Sequence, residues 1–389
     1  MLSFDNTKIA FKQKTNKELN KSYLLFQLIA NNTLVKIGPS LLKFALFLKL
    51  PITGIIKKTI FQQFCGGESI DTCNKTIDNL DSYNIGTILD YSVEGKNNES
   101  DFNRVYEETI STIKVAQNNK KIPFTVFKIS GLASLQLLEK WDQNESNFSE
   151  KEKKEFHSLK NKLDKLCELG KKLDVKIFID AEESWIQDCI DFLVTELMSK
   201  YNKEKVLVYN TLQMYRWDRL NYLYSCHENA MKNNYLLGFK IVRGAYMEKE
   251  RERAKELNYP SPIQKDKLSS DKDYDLALEY CVKNIETIAI CAGTHNEKSS
   301  LFLSELMKEH NLINAHPHIY YSQLLGMSDH ISFNLSNLEY NVAKYVPYGP
   351  VRDVIPYLIR RAQENTSISG QTSRELNLII QEKKRRKSN

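Results

Sequence analysis

Polar residues that could do chemistry recur just after short apolar runs in this 389-residue sequence. Asp90 and Glu94 lie at and beyond the end of "IGTILDYS", Lys128 lies in "FTVFKIS", Asp180 in the later part of "VKIFIDAE" and Asn210 ends "VLVYN". Lys240, Arg243 and Tyr246 lie in and beyond "FKIVRGA", Thr294, His295 and Asn296 follow "TIAICAG", and Tyr345 stands near the end of "NVAKYV". Each has an ordinary explanation when taken singly: an Asp at a strand end commonly shapes a turn, and a Lys in a strand can snorkel from an edge. Together they aim ionisable and amide groups at one end of a common scaffold. Lys128, Lys240, Arg243, Arg360 and Arg361 outnumber Asp180, Glu94 and Glu364, so that end should attract an anion such as a carboxylate or a phosphate-bearing cofactor. Arg360 and Arg361 in "PYLIRRAQEN" project about 100° apart on a helix and can grip a small carboxylate from two sides. The same stretch reads equally well as an exposed helix with an Arg360/Glu364 pair at i,i+4.

Other chemistries find less support. His316 and His318 flank a proline without a helical i,i+4 partner, which reads as a turn, and there is no HExxH or carboxylate pair at ligand spacing, so no metal is expected. The 14 glycines form neither GxGxxG nor GxxxxGK[ST], and there is no nucleophile elbow. A nucleotide cofactor would have to bind at the strand ends themselves. The seven cysteines are an odd number without a CxxC pair, and read as free thiols in a reducing compartment.

The elements that position these residues alternate between strand and helix. Eight apolar runs, starting at Ile85, Phe124, Val175, Val206, Phe239, Thr287, His318 and Asn341, are separated by longer helical patterns, the rhythm of a parallel sheet. Eight is the number that closes a (β/α)8 barrel, whose chemistry gathers at the C-terminal ends of its strands. "SEKEKKEFHSLKNKLDKLCELG" opens on a Ser149/Glu152 capping box, puts Leu159, Leu163 and Leu166 on one stripe, and should end at Gly170. The long polar segment after the fifth run predicts an extra helix or loop at the barrel rim. Residues 1–83 are expected as a helical arm packed on the barrel, with an amphipathic stretch at Leu41–Phe64; 84–372 as the barrel; and 373–389 as a basic tail. The net charge is +6, and the terminal "KKRRKSN" reads as a solvated, frayed end, with no nucleic-acid partner. Hydrophobic residues at 41% and charged ones at 27% exclude disordered and fibrous classes. "LLKFALFLKLPITGII" is too short and too charged to span a bilayer. No secretory signal is visible, and Asp5, Glu18 and the lack of arginines argue against a transit peptide, so the expected location is cytoplasmic or peripheral to the inner face of the cell membrane.

"IDAEES" (179–184), "KIVRGAY" (240–246), "GTHNE" (293–297), "QLLGMSDHISF" (323–333) and "KYVPYGPVRDVIPYLIRRAQENTS" (344–367) together resemble the proline dehydrogenase family, flavoenzymes built on a (β/α)8 barrel. The resemblance runs from about Asp90 to Thr372. It implies FAD as cofactor, L-proline as substrate, 1-pyrroline-5-carboxylate as product, a quinone as electron acceptor and peripheral membrane contact. It further implies that Arg360 and Arg361 bind the proline carboxylate with Lys128, and that Tyr246, Leu324, Tyr345 and Tyr357 wall the ring. Asp180 and Lys240 would organise the reacting centre, and Glu94 would gate it with Arg360. Ile179, Asn210, Arg243, Gly244, Ala245, Thr294, His295 and Asn296 would contact the flavin or its pyrophosphate. Asn210 stands where the family more often has Gln, and either Lys240 or Arg243 could face flavin N5.

Three alternatives remain open on the sequence. A hydroxyproline dehydrogenase could use the same scaffold, although the Tyr345 phenol should occupy the space of a ring hydroxyl. A lyase could use Lys128 or Lys240 as a Schiff-base lysine. A binding protein could act through the arm and the tail.

Overall fold

A computed structural model of the chain describes residues 2–31, 37–38, 52–92, 98–144, 147–367 and 371–388, with backbone alone for those between 363 and 373. Helices α1 (Thr7–Ala10) and α2 (Asn16–Ile29) come first, then a helical segment made of Thr53–Ile56, the π-turn Lys57–Phe61 and Gln62–Phe64, and then α3 (Ile70–Asp81). Strand and helix alternate from there: β1 (Ile85–Tyr91), α4 (Glu99–Ala116), β2 (Phe124–Lys128), α5 (Leu135–Asn144), α6 (Glu150–Leu173), β3 (Lys176–Asp180), α7 (Ser184–Tyr201), β4 (Val208–Gln213) and α8 (Arg219–Lys232). The chain continues through β5 (Leu237–Val242), α9 (Met247–Glu256), α10 (Lys267–Lys283), β6 (Ile288–Gly293), α11 (Glu297–Glu309), β7 (Ile319–Leu324), α12 (Asp329–Ser336), β8 (Val342–Tyr348), α13 (Ile355–Ser367) and α14 (Gln371–Lys387).

The eight strands follow one another around a closed barrel in chain order, so the architecture is the (β/α)8 barrel that the strand count predicts. Each of the eight apolar runs is a strand. They read as apolar runs because a parallel barrel buries both faces of a strand, and every residue of β4 and β8 is buried. The strands divide between two compact units, Met1–Glu94 with Gln323–Asn389, and Gly95–Ser322.

In the second unit, α6 starts with the Ser149/Glu152 capping box and buries Leu159, Leu163 and Leu166. It does not stop at Gly170. The helix runs to Leu173, and Asp174 takes the left-handed cap at φ 57°. Gly170 lies in the last turn, where an added Cβ would stand 2.6 Å from Ile177 Cδ1, so the glycine serves a close approach of helix to strand. The polar stretch after β5 contains a separate helix, α9, ahead of the crossover helix α10.

In the first unit, β1 and β8 pair in parallel from Ile85↔Val342 to Tyr91↔Tyr348. Helices α1, α2 and α14 share a cluster of Ala10, Phe11, Leu19, Phe26, Leu378 and Ile379. The C-terminal basic run is therefore not the frayed tail expected of it: most of it belongs to α14, whose apolar side buries Leu378 and Ile379. Such burial offsets the ordering entropy that otherwise leaves a charged terminus loose. Of the amphipathic stretch Leu41–Phe64, residues 41–51 lie outside the described residues.

Candidate functional site

Asp180 is the last residue of β3, and Lys240 lies in β5, two strands along. The Lys240 ammonium donates to Asp180 Oδ1 and stands 6.0 Å from the Phe178 ring centroid. Both side chains are mostly buried, so the pairing compensates charges that water scarcely reaches. Lys128 ends β2 in register with Asp180. Its charge also acts on Glu182, whose carboxyl burial pushes up to about 7; the field of Lys128 and hydrogen bonds from Ser130 pull the other way without offsetting burial. Glu182 accepts from the Ser130 N–H at 2.9 Å and from the Ser130 hydroxyl.

Arg243 follows β5 and is held by three acceptors. Its Nε donates to Asp271 Oδ1 at 2.6 Å, Nη1 to Thr294 Oγ1 at 2.9 Å and Nη2 to Ser299 Oγ at 2.9 Å, while Cζ lies 4.3 Å from the Tyr274 ring centroid. Thr294 follows β6, and Asn296 caps α11 by accepting from the Lys298 N–H at 2.9 Å and the Ser299 N–H at 3.3 Å. His295, half-buried, lies between them. A guanidinium, its charge shared with Asp271, fixed beside the N-terminus of a 13-residue helix gathers N–H donors suited to the pyrophosphate of a dinucleotide cofactor. Gly244 has φ +137°, and a Cβ there would stand 2.5 Å from the Tyr215 ring, so the backbone turns closely at a point no other residue would fit. Ala245 is exposed, and Tyr246 precedes α9 half-buried.

One expected strand end needs correcting. β4 does not finish at Asn210 but continues to Gln213. Asn210 is mid-strand and fully buried, donating from Nδ2 to Asp191 Oδ1 of α7 at 2.9 Å, while its Oδ1 accepts from the Thr211 N–H at 2.8 Å. It faces the helix layer and ties strand to helix, so a flavin contact from Asn210 does not fit. The amide at the strand end is Gln213, whose Nε2 donates to the Glu182 carbonyl at 2.7 Å. An Asn commonly ends a strand, and the polar "NTLQ" hid the continuation. Ile179 is fully buried, and its carbonyl accepts from Thr211 Oγ1 at 2.8 Å.

In the first unit, Leu324 ends β7, and Tyr345 is buried in β8 with its carbonyl accepting from the Leu325 N–H at 2.8 Å. Tyr357 and Arg361 sit one turn apart on α13. The Arg361 guanidinium lies 5.1 Å from the Tyr357 ring centroid, and both residues are buried. Arg360, one position earlier, is half-exposed. Tyr357 packs in a cluster with Ile56, Phe61, Phe64, Met327 and Leu358. Glu94 and the side chain of Glu364 lie outside the described residues.

Two further carboxylates were not legible as site candidates. Glu182 is one. The other is Glu250 of α9, fully buried, which accepts from the N–H of Ser184 at 2.6 Å and from its hydroxyl at 2.6 Å, so it caps α7. Arg253 stacks on Trp185 at 4.3 Å and pairs with Glu139, which fastens α9 a second time. In sequence Glu182 is one of three acids in "IDAEES", with nothing to set it apart from Asp180, and Glu250 sits in a charged run indistinguishable from a solvated helix face. A cleft of about 740 Å³ opens between α7 and α8, lined by residues such as Phe192, Tyr222 and Asn229. Its lining comes from the helix layer, not from strand ends.

A model of the proline dehydrogenase family matches residues 73–374. The chain is 33% identical over 432 residues to "Proline dehydrogenase 1, mitochondrial" of Dictyostelium discoideum, covering 99% of this chain and 75% of that one. It is 32% identical over 323 residues to "Carbapenem antibiotics biosynthesis protein CarD" of Pectobacterium carotovorum subsp. carotovorum, covering 83% of each. With the human "Proline dehydrogenase 1, mitochondrial" it shares 37% over 244 residues, 62% of this chain and 41% of that one. The solved structure of proline utilization A (PutA) from Bdellovibrio bacteriovorus, inactivated by N-propargylglycine, matches with a TM-score of 0.73 at 20% identity. That match covers 93% of this chain but only 38% of the longer one, and at such identity it speaks for the barrel alone. The expected cytoplasmic location is overturned here, because the proline dehydrogenases of Dictyostelium, Drosophila and human that this chain resembles are named as mitochondrial. The residues near the N-terminus that argued against a transit peptide were too slight a signal.

Proposed function

This chain belongs to the proline dehydrogenase family and is an oxidoreductase acting on proline, and we propose that it uses FAD to convert L-proline to 1-pyrroline-5-carboxylate. Proline loses a proton from its nitrogen and a hydride from C5, leaving the C5=N double bond. FAD, once bound at the strand ends, would supply the electron sink for that hydride, with a quinone as the final acceptor of the electron pair. The observation that carries this reading is the buried Lys240–Asp180 pair, a fixed cation beside a carboxylate at strand ends, where a barrel does its chemistry.

Each residue then has a task. Lys240 holds positive charge where electron density accumulates, and Asp180 fixes its direction. The corner formed by Arg243, Thr294 and the capped start of α11 holds the pyrophosphate, with Gly244, Ala245 and His295 beside it and Gln213 supplying the amide contact first expected of Asn210. Arg360 and Arg361, with Lys128, bind the proline carboxylate, while Tyr246, Leu324, Tyr345 and Tyr357 position the ring. Most of the protein's work is orientation, since the nitrogen must be unprotonated and C5 must face the acceptor. The mitochondrial names of relatives support a mitochondrial location, and a quinone acceptor implies approach to a membrane.

The test is the absorbance spectrum of the purified protein before and after anaerobic addition of L-proline. A flavin band that bleaches with proline, and does so less well with hydroxyproline, is the expected result. A colourless protein, or a band indifferent to proline, would overturn the reading.

A further inference from the structure

We propose, on the reading of Leu324, Tyr345 and Tyr357 as the wall of the substrate ring, that Lys344 and Glu375 are positioning residues that set how closely this wall fits a five-membered ring. Lys344 precedes Tyr345 in β8, and successive side chains of a strand point to opposite faces, so the lysine does not share the tyrosine's side. It is fully buried nonetheless. Its ammonium donates to the Met327 carbonyl at 2.6 Å and to the Leu324 carbonyl at 3.3 Å, and it pairs with Asp329 Oδ1 at 3.0 Å. All three acceptors belong to the turn from β7 into α12, the turn that carries Leu324, and the three N–H donors of the ammonium match them.

That turn is sharp, with Gly326 at φ 74° and Ser328 at φ 51° on either side of Met327. It is held from further sides. Both carboxylate oxygens of Glu375 of α14 accept from the Ser328 N–H, at 2.9 and 3.1 Å, at the start of α12 where an N–H has no acceptor within the helix. Gln63 donates from Nε2 to the Gly326 carbonyl at 2.8 Å, and the Leu325 N–H donates to the Tyr345 carbonyl at 2.8 Å. Met327 belongs to the cluster around Tyr357, and Leu324 packs against that cluster. Each wall residue therefore meets the turn: Leu324 opens it, Tyr345 is bonded to it and Tyr357 shares its cluster.

Burying a lysine, an aspartate and a glutamate costs free energy that apolar side chains of the same length would avoid, so stability is a weak reason for these charges. What they add is direction. An ammonium with three fixed acceptors holds the turn in one arrangement where apolar packing would permit several. A wall set loose would still admit proline but lose its preference for that ring over a larger one, since a misplacement of about 1 Å can cost about a hundredfold in rate.

Steady-state dye reduction with L-proline and with L-pipecolate, its six-membered homologue, tests this in Lys344→Met and Glu375→Gln. Asp329 keeps Gln13 and Lys14 as partners when Lys344 is replaced, and Glu375→Gln preserves size and one acceptor for the Ser328 N–H. The ratio of kcat/KM for the two substrates does not depend on how much of a preparation is folded, so a merely structural role would lower the thermal midpoint and leave the ratio alone. That ratio should fall about tenfold in Lys344→Met and about threefold in Glu375→Gln, with KM for proline rising in both. Should Lys344→Met not fold, Glu375→Gln decides. A parent-like ratio in the variants that fold, or a Glu375→Gln that itself fails to fold, would overturn the proposal and leave proline oxidation standing. A parent protein that oxidises neither substrate would strike the functional reading and this proposal together.

Discussion

The Lys240 ammonium reaches past the intervening strand β4 to donate to the Asp180 carboxylate, and water scarcely touches either group. Removing one partner of such a pair strands the other charge in a low-dielectric place. Lys240→Met should therefore cost about 3 kcal/mol of stability, and Lys240→Met with Asp180→Asn should cost clearly less than the two single changes summed. Urea midpoints of the three variants measure this; strict additivity would show that the two groups do not depend on one another.

The neighbouring arginines of α13 should respond differently. Arg360→Met and Arg361→Met should each lower kcat/KM for proline roughly ten- to a hundredfold, about 1.5–3 kcal/mol, if each donates to the substrate carboxylate. Arg361 also stacks on Tyr357, so Arg361→Lys should recover little, because an ammonium reproduces neither the fork nor the flat face. Steady-state kinetics with parent-like values in both Met variants would remove the carboxylate clamp from the mechanism.

Tyr345 bears on substrate choice. Tyr345→Ser should narrow the gap in kcat/KM between proline and hydroxyproline by making room for a ring hydroxyl. An unchanged ratio would take Tyr345 out of the discrimination.

Glu182 gives stability a dependence on pH. Burial raises its carboxyl pKa to about 7, above the unfolded value, so the folded state holds the proton more tightly than the unfolded chain does. The contribution is present in full below the unfolded pKa and is lost as pH rises through about 7. The urea midpoint should fall between about pH 5 and about pH 8 by more in the parent than in Glu182→Gln, which has no proton to lose. Parallel pH profiles for the two proteins would show that Glu182 does not titrate in this window.

How much could be read in advance follows from which forces leave a local trace. The eight strands were legible because two-sided burial writes an unbroken apolar run, and the capping box of α6 was legible because its two members are three residues apart. Gly170 misled because a glycine that permits close packing looks like one that ends a helix. Asn210 misled because its partner Asp191 lies on the next helix, and nothing within the strand betrays that pairing. Glu182 and Glu250 were invisible for the same reason: burial of an acid depends on the donors that converge on it from distant residues. The basic run at the C-terminus was read as loose because its anchor, the apolar cluster around Phe11 and Phe26, begins some 350 residues earlier in the chain.

The pairing of β1 with β8 and the cluster joining Phe11 and Phe26 to Leu378 and Ile379 set a timetable for birth on the ribosome. The first strand made has its β8 neighbour made last of the eight, and Phe11 and Phe26 wait for α14 to cover them. Throughout synthesis the nascent chain carries one open strand edge and a bare apolar patch, both sticky features. Ribosome stalling or truncation ahead of β8 and α14 would therefore release a product that cannot close, and chaperone demand should persist until both have emerged.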